Sequence, residues 1–285
     1  MPISLEVVLD PIRGNLMERS NQDFWLWQAT SGRLYAIVAG PPCERGRWQG
    51  GGDTTLTTKG PRPLRTQQEV WGLSVVKLRE LRQILTGNCL LHLALLMAVA
   101  QMVAGNLAFI EHPSEGEEKP QGKPPCIWKL KAMQIMLAHE RMGLFHLHQG
   151  LFGAVSPKPT TLLICCDPSM RTHIENCMIK EQATSQMPKP LAMRRTETGY
   201  STAPLKRYPE GFCKALASGI RHGCDHFVPN TTDEDEISDI AFDFQNAYKC
   251  THESIHDVTI IFVPSDHSPH HTKLDAIGCA DFYAQ

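Results

Sequence analysis

A lone thiol, Cys43, ends the run "LYAIVAGPPC" (residues 34–43). Pro41 and Pro42 fix the backbone that presents it, and Arg45 and Arg47 follow within four residues. Neighbouring cations hold a cysteine in its thiolate form, and a thiolate is a candidate nucleophile; the alternative is a cysteine that packs as a small hydrophobe. Glu111 directly follows the apolar "LAFI" (107–110). A carboxylate there is either a solvated strand end or a general acid placed in a cleft. The C-terminal stretch gathers Cys250, His252, His256, His267, His270, His271 and Cys279. Cys and His at that density can bind zinc, but no CxxC pair accompanies them, so no metal site is expected. No P-loop and no serine nucleophile elbow is present.

The elements that would position Cys43 and Glu111 follow from hydrophobic patterning. "SLEVVLDP" (4–11) reads as a strand ended by Asp10-Pro11. "MERSNQDFWLWQATSG" (17–32) has apolar residues at helical spacing and a glycine where the helix should stop. "RLYAIVAG" (33–40) is a continuous apolar run, as expected of a strand covered on both faces in a parallel sheet. Residues 44–66 lack periodicity and read as a long loop. The spacing predicts a helix over 67–85, a break and fresh N-cap at Gly87-Asn88, and a second helix over 89–104. "LAFIEHP" (107–113) reads as a second buried strand, with a helix near 128–137 after it. "LFHLHQGLFG" then leads to the strand-like "TTLLICC", a polar stretch, and a helix over about 209–220. Alternation of strand and helix predicts an open parallel sheet, whose chemistry lies outside the carboxyl ends of its strands. Cys43 and Glu111 both fall there. The apolar stretch 89–110 has the length of a membrane span. It carries His92, Gln101, Gly105 and Asn106 without a basic flank, so it reads as a buried helix and strand.

Composition bounds the rest. The 285 residues are 42% hydrophobic, enough for a core. Net charge is −2, but residues 225–285 hold 12 acidic and 2 basic residues, leaving 26 basic and 18 acidic in 1–224. A basic body with an acidic tail suits a polyanion-binding protein. It also gives the expected organisation: an α/β domain over 1–224 and an acidic, partly disordered tail over 225–285 with one strand in "DVTIIFVP". Ten irregularly spaced cysteines without an opening secretory signal predict reduced thiols in a nuclear or cytoplasmic, not secreted, protein without a membrane anchor.

Several segments together carry a resemblance. "GPPC", "GPRPLR" (60–65), "GN" (87–88) before a long apolar helix, "EHP" (111–113), "CIWKL" (126–130), the segment Gln149 to Leu163 containing "SPKPT", and Ala203 to Ala217 stand in order along the chain. The run over residues 5–222 resembles the cytosine-5 DNA methyltransferases, and more closely some uncharacterised relatives of that family. The resemblance implies a Rossmann-like class I methyltransferase-type parallel sheet. It would lack the first strand and its Gly-rich turn, and would carry the acidic appendage. It implies S-adenosylmethionine as cofactor, with Pro41, Pro42 and Asn15 on the cofactor side, Asn15 standing where the family has an acid. It implies DNA as partner and a flipped base as target. Cys43 would add to C6 of cytosine while Glu111 hydrogen-bonds or protonates N3. Arg45, Arg47 and Lys158 are candidate phosphate contacts by charge and placement. From Glu44 on, "ERGRWQGGG" departs from the family's usual continuation. Two further readings stand beside the enzyme: a non-catalytic remnant serving as a nucleic-acid or protein interaction module, and a soluble α/β protein with a redox cysteine.

Overall fold

The computed structural model describes residues 14–41, 64–115, 125–182, 186–189, 195–196, 199–200 and 207–225. The strand expected at 4–11, Pro42, Cys43, Arg45, Arg47, most of the 44–66 loop and the tail beyond 225 lie outside the described residues.

Helix α1 (Arg19–Thr30) buries Gln22, Trp25, Leu26 and Ala29, one face at three- and four-residue spacing, and stops at Gly32 as the sequence predicts. It leads to strand β1 (Ala36–Ala39). Helix α2 (Leu78–Val103) starts where Glu80 reaches back to accept the Lys77 backbone N–H at 2.8 Å. It runs 26 residues, without the break expected at Gly87-Asn88, and residues 66–77 ahead of it are irregular rather than helical. The reason is Arg65. Its guanidinium, 1% exposed, donates to Asn88 Oδ1 at 2.8 Å and to the carbonyls of Trp71 and Ile84. Asn88 in turn donates to the Trp71 carbonyl at 2.8 Å. A side chain at position 87 would stand 3.2 Å from Arg65 Nη2. The Gly-Asn pair therefore seats an arginine in mid-helix instead of capping a new one.

Gly105, at φ 72°, ends α2 in the left-handed conformation that a side chain disfavours, with the Asn106 N–H returning to the Gln101 carbonyl at 2.8 Å. Gln101 also donates from its side chain to the carbonyls of Leu34 and Leu107, tying the helix to the starts of both neighbouring strands. Strand β2 (Leu107–Pro113) follows, as expected. Helix α3 (Lys131–Leu137) leads to β3 (Met142–His148), and β4 is Pro159–Cys165. Helix α4 (Pro168–Gln182) occupies the stretch that reads as merely polar, burying only Ile174 and Met178. Helix α5 (Glu210–Asp225) closes the described chain.

The class is α/β, but the sheet is not the expected parallel, Rossmann-like one. Its order is β1-β2-β4-β3. β1 and β2, joined through α2, pair in parallel with Ala36 opposite Leu107 and Ala39 opposite Ile110. β2–β4 and β4–β3 are antiparallel. The connection between β3 and β4 is too short for a helical crossover, so the chain folds back beside itself, and β4 inserts between β3 and β2. Nor is β1 covered on both faces: it is the edge of the described sheet, and Val38 is 46% exposed.

Helices line both faces. One core joins α1, α2 and α3 to Ala108, Ile110, Leu163 and Cys165; the other joins α4 and α5 to Leu107, Phe109, Leu162 and Ile164. α2 is long and apolar enough to cross a membrane by length and composition, and 72% of its most apolar window is buried against the rest of the fold. That burial accounts for its apolar surface without a bilayer.

Candidate functional site

Side chains alternate across a strand, so β2 sends Ala108, Ile110 and His112 to the α2 face and Phe109 and Glu111 to the α5 face. Glu111 is 6% exposed. A buried carboxylate needs partners, and four residues supply them. Gln149, just after β3, donates to Oε1 at 2.8 Å. Thr160, in β4, accepts from the Gln149 amide at 3.1 Å, and its one hydroxyl proton is shared between the Lys158 carbonyl at 3.0 Å and Oε1 at 3.4 Å. Lys158 Nζ stands 3.8 Å from Oε1. Tyr208, just ahead of α5, donates its hydroxyl to Oε2 at 2.9 Å.

Gly40 completes the arrangement from β1. A β-carbon there would overlap the Tyr208 hydroxyl and lie 3.7 Å from Glu111 Oε2, so the end of β1 passes against the carboxylate because that position carries no side chain. The two oxygens are thus unequally surrounded. Oε1 faces Gln149, Thr160 and Lys158; Oε2 faces Tyr208 and the end of β1. Lys158 also lies over the Tyr208 ring, 5.5 Å from its centroid, and Tyr208 packs on Phe212 of α5 at 5.5 Å.

On the opposite face, His112 is 1% exposed and lies edge-on to Trp128. Burial, with a smaller contribution from the charge of Arg65, pulls its pKa down to about 4, so the imidazole is neutral at pH 7. Burial likewise lowers Arg65 to about 10.

Of the predicted site residues, Glu111 and Lys158 come together, and buried Pro41 follows Gly40 at the end of β1. Asn15 does not join them. Its Oδ1 accepts the Met17 N–H at 3.2 Å and its amide donates to Glu18, a local turn leading into α1. Cys43, Pro42, Arg45 and Arg47 lie outside the described residues. The sequence by itself assigns no chemistry to Gln149, Thr160 and Tyr208; "QG", "SPKPT" and "RYPEG" are the signals that surround them.

Among the described residues, no group of three or more His, Cys, Asp or Glu side chains could hold a metal. Cys165 and Cys166 are buried, and desolvation pushes both thiols up to about 12. They are packing groups of the core. The tail's Cys and His residues lie outside the described part. No protein-family model, curated protein or solved structure matches this chain.

Proposed function

We propose that the chain is a cytosine-5 DNA methyltransferase-like protein whose described part binds and activates a cytosine of DNA through Glu111. One observation carries this: segments far apart in sequence that together resemble that family converge on a single buried carboxylate. They are Gly40 of "GPPC", Glu111 of "EHP", Gln149, Lys158 and Thr160 of the "SPKPT" segment, and Tyr208 ahead of α5.

The chemistry follows from the carboxylate's two sides. Oε1 is engaged by Gln149, Thr160 and Lys158, so the side chain is held without help from a ligand. Oε2, beside the end of β1, is the oxygen on which a base's N3 and exocyclic amine would meet the protein. Sharing a proton with N3 withdraws electrons from the ring and makes C6 electrophilic. Cys43, three residues beyond Gly40 in sequence, is the thiolate that adds to C6 in this reading. The new C6–S bond pushes an electron pair through the ring and leaves C5 nucleophilic. Arg45 and Arg47 keep their proposed role at phosphates.

Methyl transfer would require S-adenosylmethionine, and the described residues do not fit it. Asn15 is spent on its own turn, and Pro41 is buried and has no N–H to give. The proposal is therefore confined to base binding and activation.

The test uses the full chain and an oligonucleotide in which one cytosine is replaced by 2-pyrimidinone, whose C6 takes up a thiolate without a methyl donor. Mass spectrometry should find an adduct that is lost in Cys43→Ser. Glu111→Gln, whose amide can still donate a hydrogen bond to N3 but cannot share a proton with it as a carboxyl group does, should slow it by about a hundredfold or more. Absence of any adduct, or an adduct indifferent to Glu111→Gln, sinks the reading.

A further inference from the structure

Lys158 sits between Pro157 and Pro159 at φ 41°. A non-glycine residue rarely adopts this left-handed conformation, and outliers of this kind persist where the surroundings over-determine them. Here they do. The Lys158 carbonyl accepts the Gln149 N–H at 3.2 Å and the Thr160 hydroxyl at 3.0 Å, while the Gly150 N–H reaches the Pro157 carbonyl at 3.0 Å. The turn that imposes the unusual φ thus also aligns the two residues that bind Glu111 Oε1. The lysine side chain then folds inward, 21% exposed, to place its ammonium 3.8 Å from the same oxygen and over Tyr208. A phosphate contact would extend into solvent instead.

The geometry points to Lys158 as a positioning residue. It holds the Glu111 carboxylate by its Oε1 side so that Oε2 is presented beside the end of β1, and it acts on a ligand only through Glu111. This deepens, and rests on, the reading of Glu111 as the base-binding group. It replaces the phosphate contact expected of Lys158 from its charge alone.

Two measurements on the full chain decide it. In urea denaturation, Lys158→Met should raise the unfolding constant by about tenfold in the wild-type background, because it leaves a buried carboxylate without its cation, and by less than about twofold when Glu111→Gln is already present. If Lys158→Met alone does not fold while the double variant does, the same coupling is shown. Equal costs in both backgrounds overturn the proposal. In salt titrations of oligonucleotide binding, Lys158→Met should leave the slope of log K on log salt unchanged; a slope smaller by about one marks a phosphate contact and overturns it. In the 2-pyrimidinone assay, adduct formation lost in Lys158→Met should return in Lys158→Arg, a rescue that a packing role would not give. Should the wild-type chain form no adduct, the base-binding reading fails, while the denaturation cycle still decides what Lys158 does to Glu111.

Discussion

Replacing Gly40 by alanine tests whether the end of β1 and the Glu111 cluster form one unit. The added methyl would occupy the place of the Tyr208 hydroxyl, so Tyr208 must withdraw and release Glu111 Oε2, to which it donates at 2.9 Å. A hydrogen bond to a charged acceptor contributes about 1.5–3 kcal/mol. Against this, alanine lowers the entropy of the unfolded chain relative to glycine and returns about 0.4–1 kcal/mol. Gly40→Ala should therefore destabilise the protein by about 1–2 kcal/mol in urea denaturation. The decisive arm is the same change in a Tyr208→Phe background. With the hydroxyl gone, the nearest remaining ring atom is Cζ, 3.4 Å from the new methyl, an ordinary van der Waals contact. There Gly40→Ala should be neutral or stabilising by up to about 1 kcal/mol. An equal cost in both backgrounds would refute the reasoning, because the penalty would then come from something other than the Tyr208–Glu111 bond.

Asn88→Ala removes an acceptor of Arg65 and a donor to the Trp71 carbonyl; it should cost about 2–3 kcal/mol in thermal or urea unfolding, well beyond an exposed helix substitution. His112 titrates near 6.5 when unfolded and near 4 in the fold, so between those values the unfolded chain holds more protons. Stability should be complete above about pH 6.5 and fall by up to about 3 kcal/mol as pH drops through about 4, and His112→Phe should flatten that slope in pH-dependent denaturation. Cys165 and Cys166, with thiols pushed up to about 12, should resist iodoacetamide in the native protein and react once it is unfolded, while exposed Cys213 labels in both states, as peptide mass spectrometry can check.

The strands and helices with strong apolar patterning were legible in the sequence. "LAFIEHP" is β2 residue for residue, and the Gly32 and Gly105 stops hold because each breaks an apolar period. α4 was not legible, since two buried apolar residues in fifteen leave no periodicity; only Asp167 ahead of Pro168, a capping residue before a favoured first-turn proline, announced it. Gly87-Asn88 misled because a local signal for a helix break was answered by a partner, Arg65, 23 residues away. The direction of β3 and β4 could be had only from the length of their connection. At the site, Glu111 could be named from its place after an apolar run. Gln149, Thr160 and Tyr208 could not, because an amide, a hydroxyl and a phenol gain their meaning from a carboxylate 38, 49 and 97 residues distant.

β2 turns Glu111 toward Tyr208 and its neighbour His112 toward Trp128 and Arg65. The two faces of the sheet thus receive consecutive letters of the chain, a carboxyl group held by hydrogen bonds and an imidazole kept neutral by burial. What places the carboxylate is therefore parity. Deleting one residue between Gly105 and Glu111 would carry His112 into the ring of Gln149, Thr160, Lys158 and Tyr208 and Glu111 into the place of Ile110; inserting one would carry Glu111 into the place of His112, on the side of a buried arginine, and Ile110 into the ring. A change of two would keep each side chain on its own face. For this stretch of chain, odd and even length changes are different kinds of mutation.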